Sequence, residues 1–311
     1  MLLADLENGA RVADCYLLSS VSVRTSSNGS AYLSGTLSDQ SGSLSVIMWQ
    51  YNGSLSEKDN GCVVYAEGRV SEYKGALQIT ASKLFPASEG EYDVSALVPV
   101  APIDADARLT EVEEVIASIP DADYRRLTEA VFSAHRDQFS VIPAAKSVHH
   151  AFRSGLLMHT SNMLRLALSI ADIYSDVVDR SLLIAGTVLH DIAKVSEFVL
   201  SPLGLATDYS LSGDLLGHPV MGAMEVAAAA EKLGIPQKKS VLLQHLLLSH
   251  HGEPEFGAAV LPQCVEAEIL SRIDMLDSRV EIYADTLSRM QPGETTGKPV
   301  FGLDHRIYSH F

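Results

Sequence analysis

Histidines and aspartates are the residues of this chain whose types and spacing can do chemistry. His190 and Asp191 stand side by side at the end of an apolar run from Ser181 to Leu189, and further histidines and acids flank them at intervals of roughly thirty residues. Imidazole and carboxylate groups together are typical ligands of transition metals. The pair therefore predicts the middle of a metal site, and hydrolysis is the first hypothesis for its chemistry.

Several side chains are candidate ligands, and each lies near a predicted helix end or at a polar break in an apolar helix. They are His159, His190, Asp191, His218, His250, His251 and Asp274. Taken alone, any one of these histidines is more simply explained as a core or surface residue. As a set they form a sulfur-free ligand group suited to Mn, Fe, Co, Ni or Zn, and they exceed what one ion needs. The set predicts two divalent ions.

Two neighbours of the candidate ligands leave alternatives open. Lys194 lies one helical turn after His190, on the same face, from which it can reach a phosphate oxygen as a catalytic or substrate-binding group. A solvated lysine near a helix end is an equally simple reading. Asp277 lies one turn after Asp274 and faces the same way, so the choice of ligand between these two aspartates stays slightly open.

Other residues near the candidate ligands can contact substrate. His149 and His150 precede the first candidate ligand by about ten residues and can bind a phosphate or a terminal ribose. Arg272 can contact phosphate, although the acidic residues of its own predicted helix can equally pair with it on the surface. We treat all three as candidate substrate-binding residues.

The elements that must position the candidate ligands are helices. From about Asp104 onward, apolar residues recur with helical spacing, and no strand pattern of any length appears among them. The pattern predicts an all-helical bundle. Its helices are expected at 108–119, 122–139, 156–173, 179–194, 218–233, 238–249 and 264–286.

The first ninety residues have a different pattern, rich in Ser and Gly with short alternating stretches separated by turn residues. About five strands are predicted, among them 31–37, 44–49, 62–70 and 77–80, which suits a small barrel resembling an OB-fold. Such barrels commonly bind single-stranded nucleic acid through aromatic side chains. Tyr73 and Lys74, at the tip of the last hairpin, are the candidate contacts, whereas Trp49 is expected to be at least half buried.

Composition limits the classes of function. The 311 residues carry a formal charge of -16, which argues against broad electrostatic attraction to nucleic acid. The three cysteines have no spacing suited to a thiolate site. Because no stretch is long and apolar enough to span a bilayer and the N-terminus lacks a basic start, we expect a cytoplasmic protein with no membrane partner.

Four motifs taken together resemble a known family. They are Pro143 to His150, Gly155 to Thr160, His190-Asp-Ile-Ala-Lys194 and Leu248 to Glu253, and they follow a barrel-like N-terminal half. The helical motifs resemble those of HD-domain metal-dependent phosphohydrolases, and the whole arrangement is similar to the YhaM-type 3'-5' exoribonucleases. The resemblance covers nearly the whole chain.

The resemblance implies a role for each candidate ligand. His159, His190, Asp191 and Asp274 would be the core ligands, Asp191 would bridge two ions, and the remaining three histidines would complete the shell of the second metal. It also implies Mn as the preferred ion. Asp191 and Lys194 are the expected catalytic residues.

The sequence and the resemblance together predict a multidomain α and β protein. Residues 1–90 would form an OB-fold-like nucleic-acid-binding domain, 91–145 a linker with leading helices, and 146–311 an HD-type phosphohydrolase domain. The expected function is a two-metal 3'-5' exoribonuclease acting on single-stranded RNA, with single-stranded DNA and a homo-oligomer left open. A nucleotide or dinucleotide phosphohydrolase and a noncatalytic nucleic-acid-binding module are the alternatives.

Overall fold

The computed structural model of the chain describes residues 2–26, 28–73, 75–88, 90–146 and 150–311. The chain divides into two compact units, 1–100 with 201–203 and 101–200 with 204–311. Each unit buries its own cluster of apolar side chains. The stretch 91–145 was predicted to be a linker with leading helices, and from Ala101 onward it belongs to the second unit. The functional boundaries at 90 and 145 stay predictions.

The first unit is a closed five-stranded barrel. Its strands are β1 (Arg11–Thr25), β2 (Ala31–Asp39), β3 (Gly42–Trp49), β4 (Val63–Tyr73) and β5 (Ala76–Pro86). They pair in the order β1-β2-β3-β5-β4, with β4 returning to β1, and only the β3–β5 pair is parallel. A closed barrel of five strands confirms the predicted OB-like fold.

Alternation of side chains along the strands places one face of each in the barrel interior. Fully buried residues of that interior include Leu18, Leu33, Val46, Val64 and Ile79. β1 has 15 residues and pairs with both β2 and β4. Its register against β2 shifts between Ser19 and Ser22, as at a β-bulge, which bends a strand.

The aromatic residues of the barrel are not all in its core. Trp49 is 53% exposed and packs against Tyr32 at 5.2 Å between ring centroids, so the expectation that it is at least half buried was wrong. It is the last residue of β3, where the strand leaves the packed interior. Tyr73 ends β4 and is exposed, while Lys74 lies outside the described residues.

The second unit is a helical bundle, as predicted. The helices of the chain are α1 (Val94–Leu97, in the first unit), α2 (Ala105–Ala117), α3 (Ala122–Phe139), α4 (Gly155–Ile173), α5 (Arg180–Leu189), α6 (Lys194–Glu197), α7 (Leu211–Leu233), α8 (Gln237–Ser249) and α9 (Val265–Leu287). The apolar run before His190 is the buried helix α5, every residue of which from Ser181 to Leu189 is buried. Among the described residues, no helix has the length and apolar character needed to cross a membrane.

Three details of the bundle differ from the prediction. The helix expected over 179–194 ends at Leu189, and a turn separates it from α6. A short antiparallel hairpin, β6 (Phe198–Leu200) and β7 (Ala206–Tyr209), follows α6, although no strand was predicted in this half. Strands of three and four residues are too short to produce a recognisable alternation.

The third difference is in α7, which begins at Leu211 instead of 218 and is kinked. At the kink, Gly217 has φ 73° and ψ 156°, a conformation that favours glycine. Pro219 then begins the second half of the helix, where its missing N–H costs nothing. The kink places His218 at the start of a new helical segment inside the bundle.

Candidate metal centre

The predicted ligands come from separate elements and meet inside the helical unit. α4 supplies His159, α7 supplies His218 and α9 supplies Asp274, whereas the remaining ligands directly follow α5 and α8. His190 and His250 are buried residues at the C-terminal ends of those two helices. The structure therefore brings together all seven side chains that the sequence singled out.

Asp191 lies at the middle of this cluster. Its Oδ2 is 3.3 Å from His190 Nε2 and 3.8 Å from His159 Nε2. Its Oδ1 is 3.1 Å from His218 Nε2 and 3.7 Å from His250 Nε2. The two carboxylate oxygens thus face two different pairs of histidines.

A group of side chains that could hold a metal ion lies on each side of Asp191. In one group, His159, His190 and Asp191 each offer a ligand atom, and these atoms lie within 4.8 Å of one another. In the other group, His218, His250 and His251 do the same. Asp274 adds a carboxylate to the first group, since its Oδ1 is 3.3 Å from His159 Nε2.

Several buried ligand atoms have no hydrogen-bond partner among the described residues. They are Asp191 Oδ1, His218 Nε2, His250 Nε2 and His251 Nδ1. A buried polar atom without a partner costs about 1–3 kcal/mol, so such atoms rarely cluster without a reason. A cation held between them would satisfy all of them, and these residues therefore fit a metal ion.

In four of the five histidines of the cluster, a hydrogen bond to Nδ1 fixes the ring. His190 Nδ1 donates to Thr187 O at 2.8 Å, and His250 Nδ1 donates to Leu247 O at 2.7 Å. In both cases the ring bonds to a carbonyl oxygen that would accept the backbone N–H four residues later if the helix continued. This competition favours the end of α5 and of α8 at these positions. With Nδ1 protonated, Nε2 presents its lone pair to the centre.

Carboxylates accept the Nδ1 hydrogen of two further rings, those of His159 and His218. His159 Nδ1 donates to Asp277 Oδ2 at 2.7 Å, and His218 Nδ1 donates to Glu197 Oε1 at 3.0 Å. Glu197 also accepts the backbone N–H of His218 at 2.9 Å. Sequence reasoning missed Glu197, whose only signal is an acid placed between the apolar Val195 and Phe198.

The choice between the two aspartates of α9 follows from these contacts. Asp277 Oδ2 accepts from His159 Nδ1 and also from His150 Nε2 at 2.8 Å, so it faces the back of the ring. Asp274 lies beside His159 Nε2, on the side of the centre. The geometry favours Asp274 as the ligand and Asp277 as its support.

Both halves of the chain match known families. Residues 156–279, which contain every candidate ligand, match the HD domain family, and residues 18–87 match the OB-fold nucleic acid binding domain family. The 3'-5' exoribonuclease YhaM of Listeria innocua is 38% identical over 310 residues, covering 98% of this chain and 97% of that protein. This chain belongs to the YhaM family. The relative from Bacillus licheniformis is also 38% identical, over 95% of this chain and 93% of its own length.

A solved structure also resembles part of this YhaM-family chain. An OB domain from Thermoplasma acidophilum covers 30% of the chain with 11% sequence identity and a TM-score of 0.25.

Lys194 contacts Asp191 in this member of the YhaM family. Its Nζ donates to Asp191 Oδ2 at 2.7 Å, and its side chain is largely buried. Burial alone would lower the pKa of Lys194, but the Asp191 carboxylate raises it by more. Burial would likewise raise the pKa of Asp191, yet Lys194 and His190 hold it well below its usual range. The two groups are therefore a charged pair.

The histidines of the YhaM-family cluster differ in their affinity for protons. Burial lowers the pKa of His159, but hydrogen bonds to Asp274 and Asp277 outweigh it and raise the pKa to about 10. Burial lowers the pKa of His251 to about 4 and that of His250 well below its ordinary value. His250 and His251 are thus neutral at pH 7 and can bind a metal without losing a proton.

A cleft of about 420 Å³ opens onto the cluster. Asp191, Lys194, His250, His251 and Asp274 line one part of it, and residues of α9, of the loop after α8 and of the C-terminal segment line the rest. A cleft of this size suits a small ligand or one unit of a polymer.

Two other residues of the helical unit that were predicted to bind substrate, His150 and Arg272, do not line this cleft. His150 is buried against Asp277, and Arg272 is exposed with Nε donating to Glu268 Oε1 at 2.8 Å. His149 lies outside the described residues. Among the described residues of the helical unit that were predicted to contact substrate, Lys194 is the one that lines the cleft.

Proposed function

We propose that this chain is a metal-dependent 3'-5' exoribonuclease that acts on single-stranded RNA. The observation that carries the proposal is the position of Asp191, whose two carboxylate oxygens face two groups of histidines with unpaired ligand atoms. The polarity and the substrate come from the YhaM relatives, which are named for this activity and match nearly the whole chain.

We further propose two divalent ions, held by the seven predicted ligands, with Mn preferred. His159, His190 and Asp274 would hold one ion, the other three histidines would hold the second, and Asp191 would contact both. Two such ions would supply a nucleophile activated near neutral pH and positive charge to neutralise a phosphate. No protein nucleophile is then required.

The protein groups have their own tasks in this reaction. Asp277, Glu197 and two backbone carbonyls hold the rings of His159, His218, His190 and His250 so that Nε2 of each faces the centre. Lys194 has three N–H donors, of which one goes to Asp191, so another can bind a nonbridging phosphate oxygen. We propose that the barrel binds the RNA strand, in part through Trp49, Tyr32 and Tyr73.

Labelled RNA tests the proposal directly. With Mn present, RNA labelled at its 5' end should yield a ladder of successively shorter products, and RNA labelled at its 3' end should release labelled mononucleotide first. A matched Asp191→Asn variant should give neither. Release of mononucleotide from the 5' end, or equal activity of the variant, would contradict the proposal.

Further measurements decide the remaining points. Hydrolysis of dinucleotides with no turnover of longer RNA would favour the phosphohydrolase alternative, and binding of RNA without turnover in any metal would favour the binding module. Single-stranded DNA in the same assay tests the wider substrate range. A sizing experiment tests for a homo-oligomer. We place the activity in the cytoplasm as part of the proposal.

A further inference from the structure

One face of α9 continues from the metal centre along the cleft. Asp274, Ser278 and Ile282 are spaced four residues apart and all line the cleft. At 1.5 Å per residue, they extend over about 12 Å. Arg279, on the same helix, lines the cleft beside Ser278. The cleft thus runs from metal-binding groups to a cation and then to apolar side chains.

Two exposed phenyl rings line the same cleft. Phe256, in the loop after α8, is 66% exposed, and Phe301, in the C-terminal segment, is 80% exposed. Two exposed aromatic rings at one cleft form an apolar patch of the kind that marks ligand-binding grooves. Nucleobases stack on such rings without regard to base identity.

The segment that carries Phe301 is fastened to the helical unit. Leu303 and Ile307 are buried, and Arg279 Nη1 donates to Gly302 O at 3.4 Å. Gly302 has φ 82°, and a Cβ at that position would lie 2.9 Å from Ile282 Cδ1. The segment therefore needs glycine where it approaches α9, and Phe301 is held beside the cleft before any ligand binds.

Arg279 is the cation of the cleft whose charge no described carboxylate neutralises. It forms no ion pair with any described residue, whereas Lys194 is already paired with Asp191. The carboxylates lining the cleft are Asp191, Asp274 and Asp304, so an anion bound there needs the positive charge of the loaded metal site and of Arg279. This charge pattern suits a phosphodiester between the metals and the guanidinium.

We infer that the cleft is the subsite for the 3'-terminal nucleotide, whose base contacts Phe256 and Phe301 and whose phosphate contacts Arg279. The inference rests on the proposed exoribonuclease function and adds how the end of the strand is held. Because stacking on a phenyl ring is tolerant of sequence, such a subsite admits any base but requires that one be present.

The test compares RNA carrying a normal 3'-terminal nucleotide with the same RNA carrying an abasic one. The manganese-loaded wild-type protein should cleave the normal RNA with a kcat/KM at least about 5-fold higher. Phe301→Ala and Phe256→Ala should each lose most of this preference. Phe311→Ala removes an equally exposed ring of the same segment outside the cleft and should keep it. Equal preference in all variants would overturn the inference.

Arg279→Gln should raise KM for RNA about 10-fold. Arg289→Gln, which removes an exposed arginine paired with Asp285, is its control and should leave KM unchanged.

The proposed function and the subsite can fail separately, because binding of adenosine 5'-monophosphate to the manganese-loaded protein needs no RNA cleavage. Phe301→Ala should weaken that binding about 5-fold or more. Unchanged binding would overturn the subsite even if RNA is degraded.

Discussion

His159 donates its Nδ1 hydrogen to Asp277 Oδ2 at 2.7 Å, and this bond decides which nitrogen faces the metal centre. The same carboxylate oxygen accepts from His150 Nε2 at 2.8 Å, so a buried histidine outside the cluster holds Asp277 in place. His150, predicted from the sequence as a substrate contact, thus supports His159 indirectly, through its hydrogen bond to Asp277.

Asp277→Asn should weaken metal binding without removing a ligand. The amide can turn its NH2 towards His159 Nδ1 and then favours the tautomer with a proton on Nε2, where the metal must bind. Loss of such a supporting carboxylate costs about 10- to 100-fold in metal affinity. Titration of the metal-free protein with Mn, followed by calorimetry, measures the loss.

The comparison variant is Asp274→Asn, which removes a proposed ligand from the side of the centre. It should weaken Mn binding more than Asp277→Asn does. If Asp277→Asn proved the more damaging of the two, the assignment of ligand and support would have to be exchanged.

Asp191→Asn should lower the rate of RNA cleavage by more than about 1000-fold, because one side chain is proposed to contact both ions. It should also destabilise the metal-free fold by about 3 kcal/mol or more, since it leaves the buried Lys194 ammonium without its carboxylate. Urea denaturation measures the second effect. The double variant with Lys194→Met should recover part of the stability but none of the activity.

Chelation should abolish activity, and Mn should restore it better than Mg. Mg prefers oxygen ligands in octahedral geometry, whereas most of the proposed ligands are imidazoles. Activity assayed after dialysis against chelator and addition of each metal checks this. Full rescue by Mg alone would contradict a histidine-rich shell.

Metal affinity should rise with pH between about 6.5 and 10. His159 has its pKa raised to about 10, so at neutral pH the metal-free ring is protonated and the metal must displace that proton. Each pH unit below 10 then costs up to about tenfold in apparent affinity. Mn titrations at three pH values measure the slope, and a flat profile would contradict the charged His159.

The stability of the metal-free protein should depend on pH in the opposite sense. A raised folded-state pKa means that the contribution of His159 is fully present below its ordinary pKa of 6.5 and is lost as pH rises through about 10. Thermal unfolding of the metal-free protein should therefore occur at a lower temperature at pH 9 than at pH 6.5. In Asp277→Asn, which removes one source of the raised pKa, the difference should shrink.

Asp121 offers a stability test far from the metal centre. Its side chain caps α3 by accepting from Asp123 N and Tyr124 N, and it pairs with Lys239 Nζ at 2.6 Å. Asp121→Ala should lose about 1–2 kcal/mol, most of it from the cap. Asp121→Asn keeps a capping group and should lose less than about 1 kcal/mol, because a partly exposed ion pair contributes little. Urea denaturation of both variants separates the two contributions.

Much of the metal centre could be predicted from the sequence because its ligands interrupt apolar helices, and helical spacing is a local property. The end of α5 could not, since it depends on the ring of His190 reaching back to Thr187 O. The same is true of Glu197, which reaches His218 only because the kink at Gly217 turns that residue towards it.

By itself, the sequence determined the division into a barrel and a helical bundle, and the identity and order of the candidate ligands. Both follow from residue type and short-range periodicity. Only the tertiary structure decided that Asp191 faces both groups of histidines, that Asp274 faces the centre while Asp277 supports His159, and that Arg279 lines the cleft while Arg272 does not. These choices depend on how α4, α5, α7 and α9 are rotated against one another, which is set by packing between residues far apart in the chain.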